Sequence, residues 1–138
     1  MHVRTMTNRS ARVLFLTTAS AIAGAVGCFA VAVPGALLET KGAAANPIAM
    51  IWVREVGVLL IALGVTTFLV RKHDDSATLR AFLLGNALLQ LGIFPVEILG
   101  VTAGVLHKAS GVVPNSILHL ALAGAFLHFA RRTRYERA

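Results

Sequence analysis

The sequence predicts an all-α fold, a four-helix transmembrane bundle with both chain ends on the cytoplasmic side, and three observations carry that reading. Hydrophobic residues make up 57% of the 138 positions and charged residues only 14%, whereas soluble domains carry about 25% charged residues. Four apolar stretches stand between short polar links, each near the roughly 20 residues that cross a bilayer as a helix. The basic residues gather on alternate links. Residues 1–138 make one unit with no second domain. A unit this small cannot bury so much apolar surface in its own core, so lipid must solvate the remainder.

The first span, residues 13–33, runs without a charge from Arg12 to Pro34-Gly35. Its basic start and Ala25-Val26-Gly27-Cys28 also look like a lipoprotein signal, and Ala30-Val31-Ala32 like an ordinary cleavage site. The run is long enough to span, which favours a retained helix. Ser20, Gly24 and Cys28 recur every four residues, a small-residue stripe expected to be a packing face with Cys28 inside it. A single cysteine excludes an internal disulfide and any CxxC site.

The second span, residues 48–70, opens on Asn46-Pro47, a good N-cap followed by proline at the first helical position. The third, residues 81–106, contains Pro95 and Glu97, and Asp75 or Ser76 is placed to cap it. The fourth, residues 112–130, carries Pro114 in its first turn. No repeat, low-complexity tract or alternating strand pattern competes with this reading.

Orientation follows from charge. Arg4, Arg9, Arg12, Arg71, Lys72, Arg80, Arg131, Arg132, Arg134 and Arg137 all fall on one side. With Asp74, Asp75 and Glu136 that side holds the whole net charge of +7, while Lys41, Arg54 and Lys108 balance Glu39, Glu55 and Glu97. A pI near 11.2 is thus a positive-inside signal and not a mark of nucleic-acid binding. The tail RRTRYERA is also suited to anionic headgroups, at about 1 kcal/mol per basic residue.

Polar residues inside the spans are the candidate site. At 1.5 Å per residue from the basic ends, Arg54 and Glu97 each stand about 25 Å up their helices. Asn115 is at about 24 Å, His119 at about 18 Å, Gln90 at about 15 Å and Asn86 at about 9 Å. Glu55 is beside Arg54 but about 100° around the helix. Asn86, Gln90 and Glu97 share one face of the third span, and Asn115 and His119 share one face of the fourth. Spans two and three, joined by a short turn, are expected to be antiparallel neighbours that set Arg54 level with Glu97 for a salt bridge.

Two roles suit this cluster of Arg54, Glu55, Asn86, Gln90, Glu97, Asn115 and His119. One is a register pin, with Arg54 and Glu55 also able to reach the outer headgroups beside Trp52. The other is a pocket for binding or proton handling, since ionisable groups inside a membrane mark function. The proline at 95 frees the carbonyl of Leu91, and the resulting kink suits either such a pocket or an ordinary bend of the helix around its neighbours. Phosphate-loop, nucleophile-elbow and zinc-protease motifs are missing. No histidines are paired at helical spacing, and a metal held by His107, His119 and Glu97 lacks the usual ligand pattern.

The run Arg54-Glu55-Val56-Gly57, with Gly64 further along the same span, and Asn115-x-x-x-His119 in the fourth, resemble the broad DoxX-like group of small bacterial membrane proteins. The resemblance implies a four-helix membrane bundle in the cell membrane, in some members an accessory subunit of a redox or quinone-linked complex. It carries over no catalytic residue. Small four-span multidrug exporters are a poor match, because they rely on a carboxylate midway along the first span.

The expected function is an accessory protein or a binder of a hydrophobic, quinone- or lipid-like ligand. Alternatives are a proton-coupled transporter using Glu97 and His119, or a membrane enzyme with the same two residues as acid and base. The partners expected are the lipid bilayer, such a small molecule, and another membrane protein or a second copy of this chain. No cofactor, metal or nucleic acid is called for. Gly57 and Gly64, like Gly85 and Gly92, offer helix-packing seams.

Overall fold

The computed structural model describes residues 2–133, with the side chains of residues 2–7 excepted. Arg134, Glu136 and Arg137 of the basic tail lie outside the described residues, as does the Arg4 side chain. Five helices follow one another: α1 (His2–Ala32), α2 (Pro34–Thr40), α3 (Pro47–Val70), α4 (Ala77–Thr102) and α5 (Ala109–Arg132). All but α2 contain a stretch long and apolar enough to cross a membrane, in α1 from Asn8 to Ala32.

Local chemistry sets the boundaries. Val33 breaks the chain between α1 and α2 at φ −134°, because a residue before proline is pushed out of helical backbone. Asn46 caps α3 by accepting from Ala49 N at 2.9 Å, and Ser76 caps α4 by accepting from Leu79 N at 3.1 Å. The third span stops at Thr102 and not at 106 as the hydropathy suggests. Gly104 takes φ +65°, and the N–H groups of Gly104 and Val105 turn back to the carbonyls of Val101 and Gly100. This is a Schellman ending, which favours glycine. Gly42 at φ +69° ends α2 in the same way, through Gly42 N to Glu39 O and Ala43 N to Leu38 O. The helix α5 starts at Ala109, so Pro114 falls inside it and not in its first turn.

The helices pack as two pairs, α1 against α3 and α4 against α5. Helices α3 and α4, expected as neighbours, hardly touch. The α1–α3 seam is backbone-close: a Cβ on Gly57 would stand 2.8 Å from Gly27 O, and one on Gly64 would stand 2.9 Å from Ser20 O. Cys28 points outward, so the expected stripe is corrected to Ser20, Gly24 and Gly27. Gly85 and Gly92 face no neighbour within 4 Å.

The pairs join at both ends of the bundle. At the arginine-rich end, Leu16, Ala19, Leu79, Leu83, Ala87, Phe126 and Ala130 form the core, with Phe15 edge-on to Phe126 at 4.8 Å. Buried Arg12 ion-pairs with Asp75 and donates to His73 O at 2.8 Å. Arg9 pairs with Asp74 at 2.9 Å. At the opposite end the α2–α3 loop lies over the α4–α5 turn. The Lys41 carbonyl there accepts from His107 N at 3.1 Å and Lys108 N at 3.2 Å. Large apolar side chains such as Ile48, Leu59, Leu88, Leu99 and Ile117 face outward, as membrane-embedded helices require.

Candidate functional site

A cavity of about 380 Å³ lies between the two helix pairs. An engineered apolar cavity of about 150 Å³ already takes up benzene, and ligand sites run from about 300 Å³ upward. Its walls are mainly apolar: Ala19, Ile22 and Val26 from α1, Val56, Leu60 and Leu63 from α3, Ile93 and Val96 from α4, and Leu118, Leu122 and Phe126 from α5. Core packing around Phe126 closes it toward the arginine-rich end. Leu37, Lys41 and Leu106 line it at the other end. Val56 and Val96 line it and are also 51% and 65% exposed. The gap between α3 and α4 is therefore an opening through the side of the bundle.

The polar groups are concentrated on α4 and α5. Glu97, 5% exposed, accepts at Oε1 from Lys41 Nζ and from Asn115 Nδ2 at 2.7 Å. Its Oε2 accepts from Ser116 Oγ at 2.6 Å. The carboxylate is thereby supplied with one cation and two neutral donors, the arrangement that makes a buried charge tolerable.

Two turns down α4, the Gln90 side-chain amide is hydrogen-bonded to His119 Nδ1. One turn further, Asn86 donates from Nδ2 to Phe82 O at 2.9 Å, while its Oδ1 is buried without a hydrogen-bond donor. Thr67, on α3, adds a hydroxyl to the wall.

Five of the seven residues singled out from sequence thus line one cavity: Asn86, Gln90, Glu97, Asn115 and His119. The other two do not. Arg54 and Glu55 are exposed on α3, and Arg54 Nε reaches the Val31 carbonyl on α1 at 3.4 Å. The expected Arg54–Glu97 salt bridge is replaced by Lys41–Glu97. Equal height on two helices does not make two side chains face each other, and α3 and α4 are not packed together. Glu97 and His119 are held by separate partners. His107 is exposed in the α4–α5 turn, and among the described residues no three His, Cys, Asp or Glu side chains converge as metal ligands.

Sequence reasoning missed Lys41 and Ser116. Lys41 counts as a loop residue by position, and only the reversal made by α2 and Gly42 turns it back over the bundle. The available signal was the unmet charge of Glu97, which needed a cation somewhere. Ser116 is next to Asn115, and helical spacing alone gave no reason to single it out.

Comparison of the chain with protein-family models, curated proteins and solved structures returns no match.

Proposed function

We propose that this chain is a multi-pass protein of the cell membrane, with both ends cytoplasmic, that binds a lipid-soluble quinone- or lipid-like small molecule between its helix pairs. The observation that carries the reading is the cavity itself. It is apolar along most of its wall, polar along one stripe of α4 and α5, and open sideways between α3 and α4. A ligand dissolved in the bilayer enters through such an opening without crossing water. Its apolar body then lies against Leu60, Leu63 and Leu118, and its polar end meets Gln90 and His119. Transport or acid-base chemistry through Glu97 and His119 is less well supported, because other partners hold each side chain in place.

The test is photocrosslinking of the purified protein with a photoreactive naphthoquinone. Labelling is expected on the cavity residues Leu60, Leu63, Ile93 or Leu118, and should be lost in Leu63→Trp, which fills the cavity. Labelling confined to the outward residues Leu59, Leu88 and Ile117, and unchanged by Leu63→Trp, would overturn the reading.

A further inference from the structure

Resting on that ligand-binding reading, we infer that the cavity holds its ligand at two separate polar stations. It thereby selects a ring with oxygen acceptors at opposite edges, as a quinone has, over a molecule with one polar end. The outer station is made by Lys41 and Asn115. Lys41 Nζ and Asn115 Nδ2 both donate to one atom, Glu97 Oε1, so the two nitrogens stand within two hydrogen-bond lengths of each other. An ammonium carries three N–H groups and an amide nitrogen two. Each therefore keeps an N–H beyond its bond to Glu97, and both residues line the cavity.

The inner station is Gln90 with His119. Their bond joins the Gln90 amide to Nδ1, and it can run in either direction. With Nδ1–H donating to the amide oxygen, the amide N–H groups are spare. With the amide donating to Nδ1, the ring proton is on Nε2. An N–H donor is left over in both cases. Among the described residues, the buried side-chain atoms without a partner are Arg12 Nε and Asn86 Oδ1. Neither the second amide atom of Gln90 nor His119 Nε2 is among them, so the spare donor meets open space on the wall of the same cavity.

The stations are stacked along the bundle. Gln90 and Glu97 are about 10 Å apart along α4, and Asn115 and His119 about 6 Å apart along α5. A ring with carbonyls at opposite edges bridges such a gap once a hydrogen bond of about 2.9 Å is added at each end. A single carbonyl reaches one station and leaves the other without its partner, and buried sites discriminate against such a ligand. Charge narrows the class further. Lys41 and Glu97 cancel each other, so a carboxylate ligand would bring an unpaired negative charge beside Glu97, whereas a neutral acceptor would not.

The experiment is competition against the photoreactive probe in a Cys28→Ser background, which removes the exposed thiol that a quinone would alkylate. Three compounds of one frame are compared: a naphthoquinone, the tetralone that keeps one of its carbonyls, and tetralin, which has neither. Each concentration is corrected for partition into the micelle. The naphthoquinone should compete about tenfold better than the tetralone, for one further hydrogen bond to a charged donor. In the double variant Lys41→Met with Glu97→Gln, which removes the cation without stranding a charge, the two should compete equally. In Asn115→Leu, which keeps the ion pair, the preference should narrow. Labelling of Leu60 or Leu63 by the probe reports that each variant keeps the cavity. Equal competition by quinone and tetralone in the unaltered protein overturns the inference while the cavity reading stands. A preference that survives either variant in full overturns it in the same way. Failure of all three compounds to compete removes the cavity reading and the inference together.

Discussion

Lys41 closes an ion pair with Glu97 across 56 positions of the chain, from the loop after α2 to the interior of α4. Glu97 is almost fully buried and Lys41 is one-quarter exposed, so the carboxylate depends on the lysine more than the lysine on it. The same loop residue offers its backbone carbonyl to His107 and Lys108. Lys41 therefore ties α2 both to α4 and to the α4–α5 turn.

Lys41→Met should destabilise the bundle by about 3 kcal/mol, the low end for a buried pair because the lysine keeps some water. Glu97→Gln should cost about as much. The double variant Lys41→Met with Glu97→Gln should recover most of the loss, while Arg54→Met should change stability by no more than about 1 kcal/mol, as for an exposed charge. Thermal unfolding in detergent measures all four. A large effect of Arg54→Met with none of Lys41→Met would restore the Arg54–Glu97 pairing.

Glycine substitutions should divide into two classes. A Cβ on Gly57 or Gly64 strikes α1 backbone oxygens, so alanine there should cost about 1–3 kcal/mol through overpacking. A Cβ on Gly85 or Gly92 meets nothing within 4 Å, so alanine should be neutral or gain up to about 1 kcal/mol of helix propensity. Unfolding curves of the four variants decide this, and equal losses at all four positions would contradict the seam.

Arg12→Leu should weaken the arginine-rich end. It removes the ion pair to Asp75 and the bond to the His73 carbonyl while keeping much of the apolar stem. A loss of about 1–3 kcal/mol is expected for a buried charged donor, with earlier proteolysis of the α3–α4 turn as the local readout. An unchanged turn in limited proteolysis would show that the core alone holds that end.

Topology has its own measurement. In a Cys28→Ser background, cysteines at positions 2, 75 and 136 should label only after the membrane is permeabilised, and one at position 44 should label in intact cells. The reverse pattern would invert the proposed orientation.

Some of this architecture was legible in the sequence because it depends on local chemistry. Asn46 and Ser76 cap the helices where their side chains suggest, and Gly57 with Gly64 does mark a close seam. The face shared by Asn86, Gln90 and Glu97 follows from helical period alone. What was not legible depends on azimuth and partner choice. Counting residues gives the height of Arg54 and Glu97 but not the direction each faces. The short turn between α3 and α4 suggests adjacency, yet α3 spends its small residues on α1. Lys41 was hidden for a related reason: a loop's path over the bundle depends on Gly42 adopting positive φ, and its sequence does not say which helix it will meet.

The pairing of α1 with α3 and of α4 with α5 bears on how the molecule is made. The two helices of each pair that are long and apolar enough to cross a membrane are consecutive among such helices along the chain. The leading hairpin can therefore seal its glycine seam while the trailing half is still being synthesised, and no early helix has to wait exposed for a distant partner. Docking of the finished hairpins then leaves the space between them as the last part of the molecule to form. Residues 1–72 and 73–138 produced as separate chains in one membrane should accordingly find each other, and the Arg12 contacts with His73 and Asp75 would then join two polypeptides.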